Sequence, residues 1–403
     1  MIEKAKLPDF QKFCKRQFHL EKQLGNIEDN RESPQIETST IAEAVVFMGA
    51  LGLGSLLQCD QTLRTEVGLI WFGQETPAVS DTTMARSLEG MDISSIRPIL
   101  SAAYRHARDA GESKWEGVLG TYRVGVVDGS SFGQFQASCF EIVGQIAMMV
   151  DLEEIVKRGK ELPASSTLLR RVNKELGSGV VDVVLGDGLY FNAPFFNLNL
   201  EELHWDVLVK TDDARRDVIV DAMGLFQCPS FGAADGLVRT DGLDVERMCE
   251  YQICLADGFE MEGVAEPVSV AWVHEIPLKK GDPIDFWVIF TQRYRLHLTS
   301  EEAREFGHLR WDIENHGFKS LNQTVRTKHL YSHNSTAMLA ITMLLCVVFT
   351  WLQLFMNVVW TVVQTCYPGM KMTQKFVYAE IRRALLFSVH SRAESDAYTT
   401  REC

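Results

Sequence analysis

Tyr122–Gly133 reads YRVGVVDGSSFG, and it marks the point where the pattern of the chain changes. Val124, Val126 and Val127 form a short apolar run that ends on Asp128-Gly129, the pattern of a central strand covered on both faces. A second run repeats it downstream. Val180–Gly188, VVDVVLGDG, is again apolar and again ends on Asp-Gly, at Asp187-Gly188. A single Asp-Gly is a turn signal, because both residues favour turn geometry. Two buried strands with the same ending say more, since strand ends at one edge of an α/β sheet converge and bring their carboxylates together. Between the runs lie an extended segment, Ile142–Val150, and a capped helix from Ser165 through Leu168, Leu169, Val172 and Leu176 to Gly177.

Further along, Gly307–Asn322, GHLRWDIENHGFKSLN, reads as a helix with a site-facing and a core-facing side. Arg310 and Glu314 stand four apart on one flank, and Trp311, Phe318 and Leu321 supply an apolar one. An exposed pair of this kind contributes only ~0.3–0.5 kcal/mol. Here arginine precedes glutamate, the weaker order, and Gly317 costs a helix interior roughly 1 kcal/mol. Helix stability therefore does not account for the choice of residues. His308 and His316 are metal-ligand types without the H-E-x-x-H spacing, which assigns them to the surroundings of a site or to the surface.

With 403 residues and 46% hydrophobic content the chain is long enough for two or three structural units. Nine cysteines, an odd number with no C-x-x-C pair, argue against a disulfide framework and a zinc ribbon. Together with a start, MIEKAKLPDFQKFCKRQ, that lacks an apolar leader, they place the expectation in a reducing cytoplasm, with nucleoid association when bound to DNA. Ala337–Val363 is long and apolar enough to cross a bilayer, but its interspersed Thr342, Thr350, Gln353, Asn357 and Thr361 favour a buried core helix and no membrane partner. The formal net charge of −14 is unusual for a protein that grips a phosphate backbone; local basic patches and an acidic metal site can coexist with it.

Upstream, Gly49, Gly52 and Gly54 imitate a nucleotide-binding loop, yet they lie inside a helical pattern, so close helix packing is the better reading. Ser80 caps a helix with a Met84, Leu88, Met91 stripe, and a second helix follows Ser94, either a DNA-reading pair or a plain helical hairpin. After Lys210 comes a β-rich insertion with Trp272, Trp287 and Tyr294. Its base should sit at the mouth of the site, so Trp272 is a candidate for stacking on an unpaired base, and Arg215 and Arg216 are candidates for phosphate contact.

Asp128, Asp187 and Glu314 are hard oxygen ligands of the type a magnesium-dependent phosphoryl-transfer site needs, and two ions about 3.5–4 Å apart would complete it. On VVDGSSFG, LGDGLYFNAPFF and RWDIENHGFKSLN, the chain resembles the DDE transposases of bacterial insertion sequences, in the branch whose third motif reads tyrosine, arginine, glutamate, lysine. The resemblance covers most of 122–350. It implies an α/β fold with a ribonuclease-H-like catalytic core, an N-terminal helical region and a β-rich insertion before the glutamate-bearing helix. It also implies two Mg2+ or Mn2+ ions on the three carboxylates, nicking of terminal inverted repeats, joining of the freed 3'-hydroxyl to target DNA, and a homodimer in the DNA complex. Arg310 matches the motif, Gly307 replaces its tyrosine, and Leu321 falls at its lysine, so that Arg310 and the nearby Lys319 are the candidate DNA contacts the resemblance implies. The expected division is 1–117 helical, 118–210 first part of the core, 211–300 insertion, and 301–403 second part of the core with the apolar helix.

Two other classes compete. Gly129–Gly133 fits G-x-S-x-G, so an α/β serine hydrolase would use Ser131 with Asp187 or Asp212 and His333. That reading requires a helix directly after Ser131. The third reading is a catalytically silent, domesticated DNA-binding protein.

Overall fold

The computed structural model describes residues 9–73, 79–111, 122–144, 147–157, 159–228, 232, 236–313 and 319–399. The chain is a mixed α/β protein in two compact units. One holds residues 111–130 and 137–318; the other holds 1–110, 131–136 and 319–403.

The first unit is built on a nine-stranded sheet. Its strands are β1 (Val124–Phe132), β2 (Phe135–Val143), β3 (Ala147–Glu154), β4 (Val183–Gly186), β5 (Asp206–Thr211), β6 (Val238–Asp244), β7 (Cys249–Phe259), β8 (Val268–Pro277) and β9 (Ile284–Phe290), in the order β3-β2-β1-β4-β5-β9-β8-β7-β6. The two expected valine-rich strands, β1 and β4, are neighbours and parallel, and β5 is parallel to β4. Such central strands are covered on both faces, which is why they read as unbroken apolar runs. The segment expected to be one extended run, Ile142–Val150, is divided between two antiparallel strands, with Ile142 and Val143 of β2 opposite Met148 and Ala147 of β3. The intervening helix (Glu161–Leu176) begins before Ser165, whose hydroxyl bonds Glu161 O instead of capping. The insertion continues the same sheet: β9 pairs antiparallel with β5, and β8, β7 and β6 follow outward.

One face of this sheet is covered by the helix Ser300–Ile313, whose Ala303, Phe306 and Leu309 share a core with Val126, Leu185, Leu208 and Val288. Gly307 is where that helix comes closest to β9, since a Cβ there would lie 2.5 Å from the Phe286 ring. Packing thus gives glycine a reason at the position where a tyrosine would complete the family motif. The helix expected over Gly307–Asn322 starts earlier, at Ser300, and helical residues are described up to Ile313 and again over Lys319–Val325. Glu314, His316, Gly317 and Phe318 lie outside the described residues.

The second unit is helical. Its axis is the 32-residue helix Ser335–Cys366, started by the Asn334 side chain accepting from Ala337 N. Helices Thr38–Leu51, Asp81–Glu89 and Ile93–Asp109 pack around it. It is the one described helix long and apolar enough to cross a membrane, and its most apolar window is wholly buried. The expected division assigned it to the catalytic core, whereas residues 319–403 cluster with the N-terminal helices. A helix apolar on all sides needs partners on all sides, and these helices supply them. Gly49 lets two of them meet, as its Cβ would fall 2.8 Å from Leu345 and 3.2 Å from Val348. Ser80 caps as expected, and Asp92 caps the following helix ahead of Ser94.

Candidate active site

Val126 is level with Leu185, and Leu185 with Leu208, across the three parallel strands. Side chains alternate along a strand, so the residues two positions on, Asp128, Asp187 and Lys210, continue that row on the same face. It is the face covered by the helix Ser300–Ile313, because Val126, Leu185 and Leu208 pack there with Phe306 and Leu309. Adjacent strands lie ~4.8 Å apart, so the two aspartates are neighbours at one sheet edge. Lys210 Nζ sits 4.2 Å from the centroid of the Phe286 ring on the same face.

Arg310 follows Phe306 by one helical turn and reaches into this row. Its Nη2 lies 3.0 Å from Asp128 Oδ2, and the residue is 5% exposed. Arg310 Nε is buried without a hydrogen-bond partner. The arginine therefore engages a carboxylate inside the site, where the motif led to the expectation of a DNA contact. Asp128 Oδ1 accepts from Gly129 N at 2.9 Å, and Asp187 Oδ1 accepts from Leu189 N at 2.9 Å, opening a short 3-10 turn. Asp187 directly follows the last residue of β4, whereas β1 runs on past Asp128 to Phe132, so the strand end expected at Asp128 is not formed there.

Two carboxylates that the sequence reading missed complete the cluster. Glu141 on β2 is 3% exposed, and its Oε2 has no hydrogen-bond partner. Glu161 opens the helix between β3 and β4, and its carboxylate lies over Gly129, where a Cβ would come within 2.5 Å of an oxygen. Tyr190 OH donates to Glu161 Oε1 at 2.9 Å, and Ser165 and Ser138 continue the hydroxyl chain. A lone acid in the apolar run Phe140–Val143 is a signal that would have found Glu141. Glu161 at a helix start is indistinguishable from an ordinary first-turn acid.

Electrostatics reflects this crowding. Burial pushes Asp128 up to about 6; Arg310 opposes the rise, and Asp187 and Glu161 add to it. Burial likewise pushes Glu141 up to about 8, with Asp128 adding and Arg310 opposing. Negative charge thus exceeds what one guanidinium balances, and the donors are hard oxygens. Both properties fit a divalent Mg2+ or Mn2+ ion. Asp128 and Asp187 are the described pair, and Glu314, the expected third ligand, lies outside the described residues; among those, no group of three or more Cys, His, Asp or Glu side chains forms a ready ligand set.

The helix is fixed from its other end. Arg304, 4% exposed, ion-pairs with Glu275 of β8 (Nε–Oε1 2.5 Å) and Asp244 of β6 (Nη2–Oδ2 3.0 Å). His308 Nε2 lies 2.7 Å from the same Glu275 oxygen, so this histidine is committed to the insertion and is not a metal ligand. Burial would raise the Glu275 carboxyl, but the His308 and Arg304 contacts outweigh it and hold it below its usual range. The insertion strands thereby anchor the helix that carries Arg310.

The remaining candidates disperse. Arg215 and Arg216 stand in the loop after β5, at the same sheet edge as the aspartates; Arg215 is exposed and paired with Asp213 at 2.7 Å, and Arg216 lies 5.4 Å from the Phe191 ring centroid. Lys319 is exposed at the start of its helix. Trp272 does not face the aspartates. Ala271 and Val273 beside it point to the site-side core, so Trp272 points the other way, opposite Trp287, which stacks on Phe226 at 6.2 Å. Its Nε1 donates to Asp285 Oδ1 at 3.1 Å, which explains a tryptophan in this half-buried position without an unpaired base. Ser131 is exposed on β1, which runs on through Phe132, turns at Gly133 (φ 56°) and returns as β2, so no helix follows the serine and the hydrolase elbow is not formed. Among known proteins, no family model matches the chain and no curated sequence matches it.

Proposed function

We propose that the protein is a metal-dependent DNA transposase of the DDE type with a ribonuclease-H-like core. The observation that carries this reading is the shared row: Asp128 and Asp187 lie two residues beyond Val126 and Leu185, the last residues paired between the adjacent parallel strands β1 and β4, and Arg310 of the covering helix meets Asp128. A trio of parallel strands flanked by a hairpin, with Asp128 and Asp187 just beyond the paired residues of two neighbouring strands, supports the ribonuclease-H-like part of the reading. Asp128 and Asp187, joined by Glu314, would hold two Mg2+ or Mn2+ ions. Bound there, such ions activate an attacking oxygen and offset charge on the leaving one.

The chain's own residues do the rest. Arg310 favours the ionised form of Asp128 against its burial and aims it along the strand edge. Glu275 holds the Arg310 helix through Arg304 and His308. Arg215 and Arg216 in the loop after β5 would supply phosphate contacts, and the exposed Lys319 another. The substrates are element ends with terminal inverted repeats and a target duplex, and the active species is a homodimer on DNA.

The test starts from the DNA that flanks the reading frame, which should carry short inverted repeats. A duplex ending in that repeat should be nicked in Mg2+ or Mn2+ to leave a 3'-hydroxyl. Asp128→Asn and Asp187→Asn should lose the nick and Ser131→Ala should keep it. Metal-independent turnover of ester substrates that depends on Ser131 would sink the transposase reading.

A further inference from the structure

The Gly52–Gly54 turn, which imitates a nucleotide loop in the sequence, has a different use in the fold. It joins Thr38–Leu51 to Leu56–Leu63 within the helical unit, and two arginines from distant parts of the chain come to it. Gly52 has φ 67°, and a Cβ there would lie 2.6 Å from Arg382 Cζ. Gly54 needs no left-handed backbone, yet a Cβ there would lie 2.6 Å from Arg326 Nη1. The glycines make room for guanidinium groups. Gly54 N donates to Gln58 Oε1 at 2.8 Å, which fixes the turn.

Arg382 is half-buried and donates only to backbone carbonyls, from Nε to Ala50 O at 3.3 Å and from Nη2 to Thr324 O. Arg326 is exposed, with φ 58°. Among the described residues no carboxylate pairs with either group. Burial first, and then the charge of Arg326, hold Arg382 below the usual arginine range, so the two cations sense each other without a counter-charge. In a chain of net charge −14, two convergent cations left uncompensated need an explanation. A guanidinium presents a planar fork that matches phosphate oxygens, and a phosphate between two forks removes their repulsion.

We propose that Arg326 and Arg382, seated on the Gly52–Gly54 turn, form a phosphate-binding site that takes a phosphodiester of the DNA backbone, separate from the acidic sheet edge. The choice of DNA as the source of the phosphate rests on the transposase reading; the anion site itself does not.

Fluorescence anisotropy of the full chain on a labelled duplex in EDTA, with salt varied from 50 to 200 mM, tests it. One phosphate contact adds ~0.9 to the salt slope, so the affinity of the parent protein should fall ~3.5-fold more over that range than that of Arg326→Ala. Arg326→Lys should restore most of the slope, and Gly54→Ala should act in the same direction as Arg326→Ala by displacing its guanidinium. Arg326 is exposed, so the melting temperature of Arg326→Ala should not move. Ser131→Ala, at a residue outside both sites, should bind as the parent does, and nicking of the same duplex in Mg2+ is read separately, which distinguishes failure of this site from failure of the catalytic reading. Parent-like slopes in both Arg326→Ala and Gly54→Ala would overturn the proposal. Calorimetric binding of inorganic phosphate that is lost in Arg326→Ala, with an unchanged DNA slope, would assign a free small anion and overturn the DNA assignment.

Discussion

The sheet edge and the Gly52–Gly54 turn carry opposite errors of charge. At the edge, Asp128, Asp187, Glu141 and Glu161 influence one another around a single arginine, Arg310. At the turn, Arg382 donates to backbone carbonyls and senses the charge of Arg326. Elsewhere the chain pairs its charges closely: Arg304 meets Asp244, Glu275 and Glu305, and Arg171 meets Asp151 and Glu153. Removing one member of a buried, balanced pair costs stability. Removing one member of an unbalanced cluster should cost ligand binding instead. On the proposed readings, the contrast separates residues that hold the fold from residues that would bind a counter-ion.

The largest effect should come from the acidic edge. Asp128→Asn keeps the shape and removes the anion, and nicking measured in a single turnover should fall by at least ~10²–10³-fold, the scale for loss of one preorganised electrostatic group. Next comes the balanced network. Glu275→Ala leaves His308 buried without its acid and strips Arg304 of one of its three, and chemical denaturation should show a loss of ~3–5 kcal/mol. Should Glu275→Ala instead unfold like the parent, the network would belong with the unbalanced class and the contrast would fail.

The third effect is one of pH. Glu141 is raised from 4.5 to about 8, so the folded state takes up a proton that the unfolded chain does not hold between those values. Its contribution to stability is complete below the unfolded value and is lost as pH rises through about 8. In metal-free buffer, the parent should therefore lose melting temperature from pH 5 to pH 9, and Glu141→Gln should lose less. Equal losses would remove Glu141 from the charge cluster. The smallest effect is set for Trp272→Ala. On the face opposite the aspartates it should leave nicking within about two-fold of the parent, and a defect in nicking without one in DNA binding would return Trp272 to the site.

Much of the sheet edge was legible because its signals are local. An apolar run that stops on Asp-Gly announces both the strand and its carboxylate, and the repeat at Asp187 announces the neighbour. The burial of Ser335–Cys366 was legible for the same reason, through a long apolar run interrupted by Thr342, Thr350, Gln353, Asn357 and Thr361. What covers that helix was not, because its partners lie at the other end of the chain. Nor was the side of the sheet that Trp272 takes: it depends on pairing β9 with β5, and a shift of one residue turns a strand over. Glu141 hid in an apolar strand, and Arg382 meets Gly52 only through the tertiary fold.

The claim that the acidic edge awaits a cation is tested most directly by titrating Mn2+ into the protein and following the free-ion signal by electron paramagnetic resonance. The parent should take up Mn2+, with uptake weakened at least about ten-fold in Asp128→Asn and in Asp187→Asn and unchanged in Arg326→Ala. Equal uptake by the parent and both aspartate variants would contradict the account.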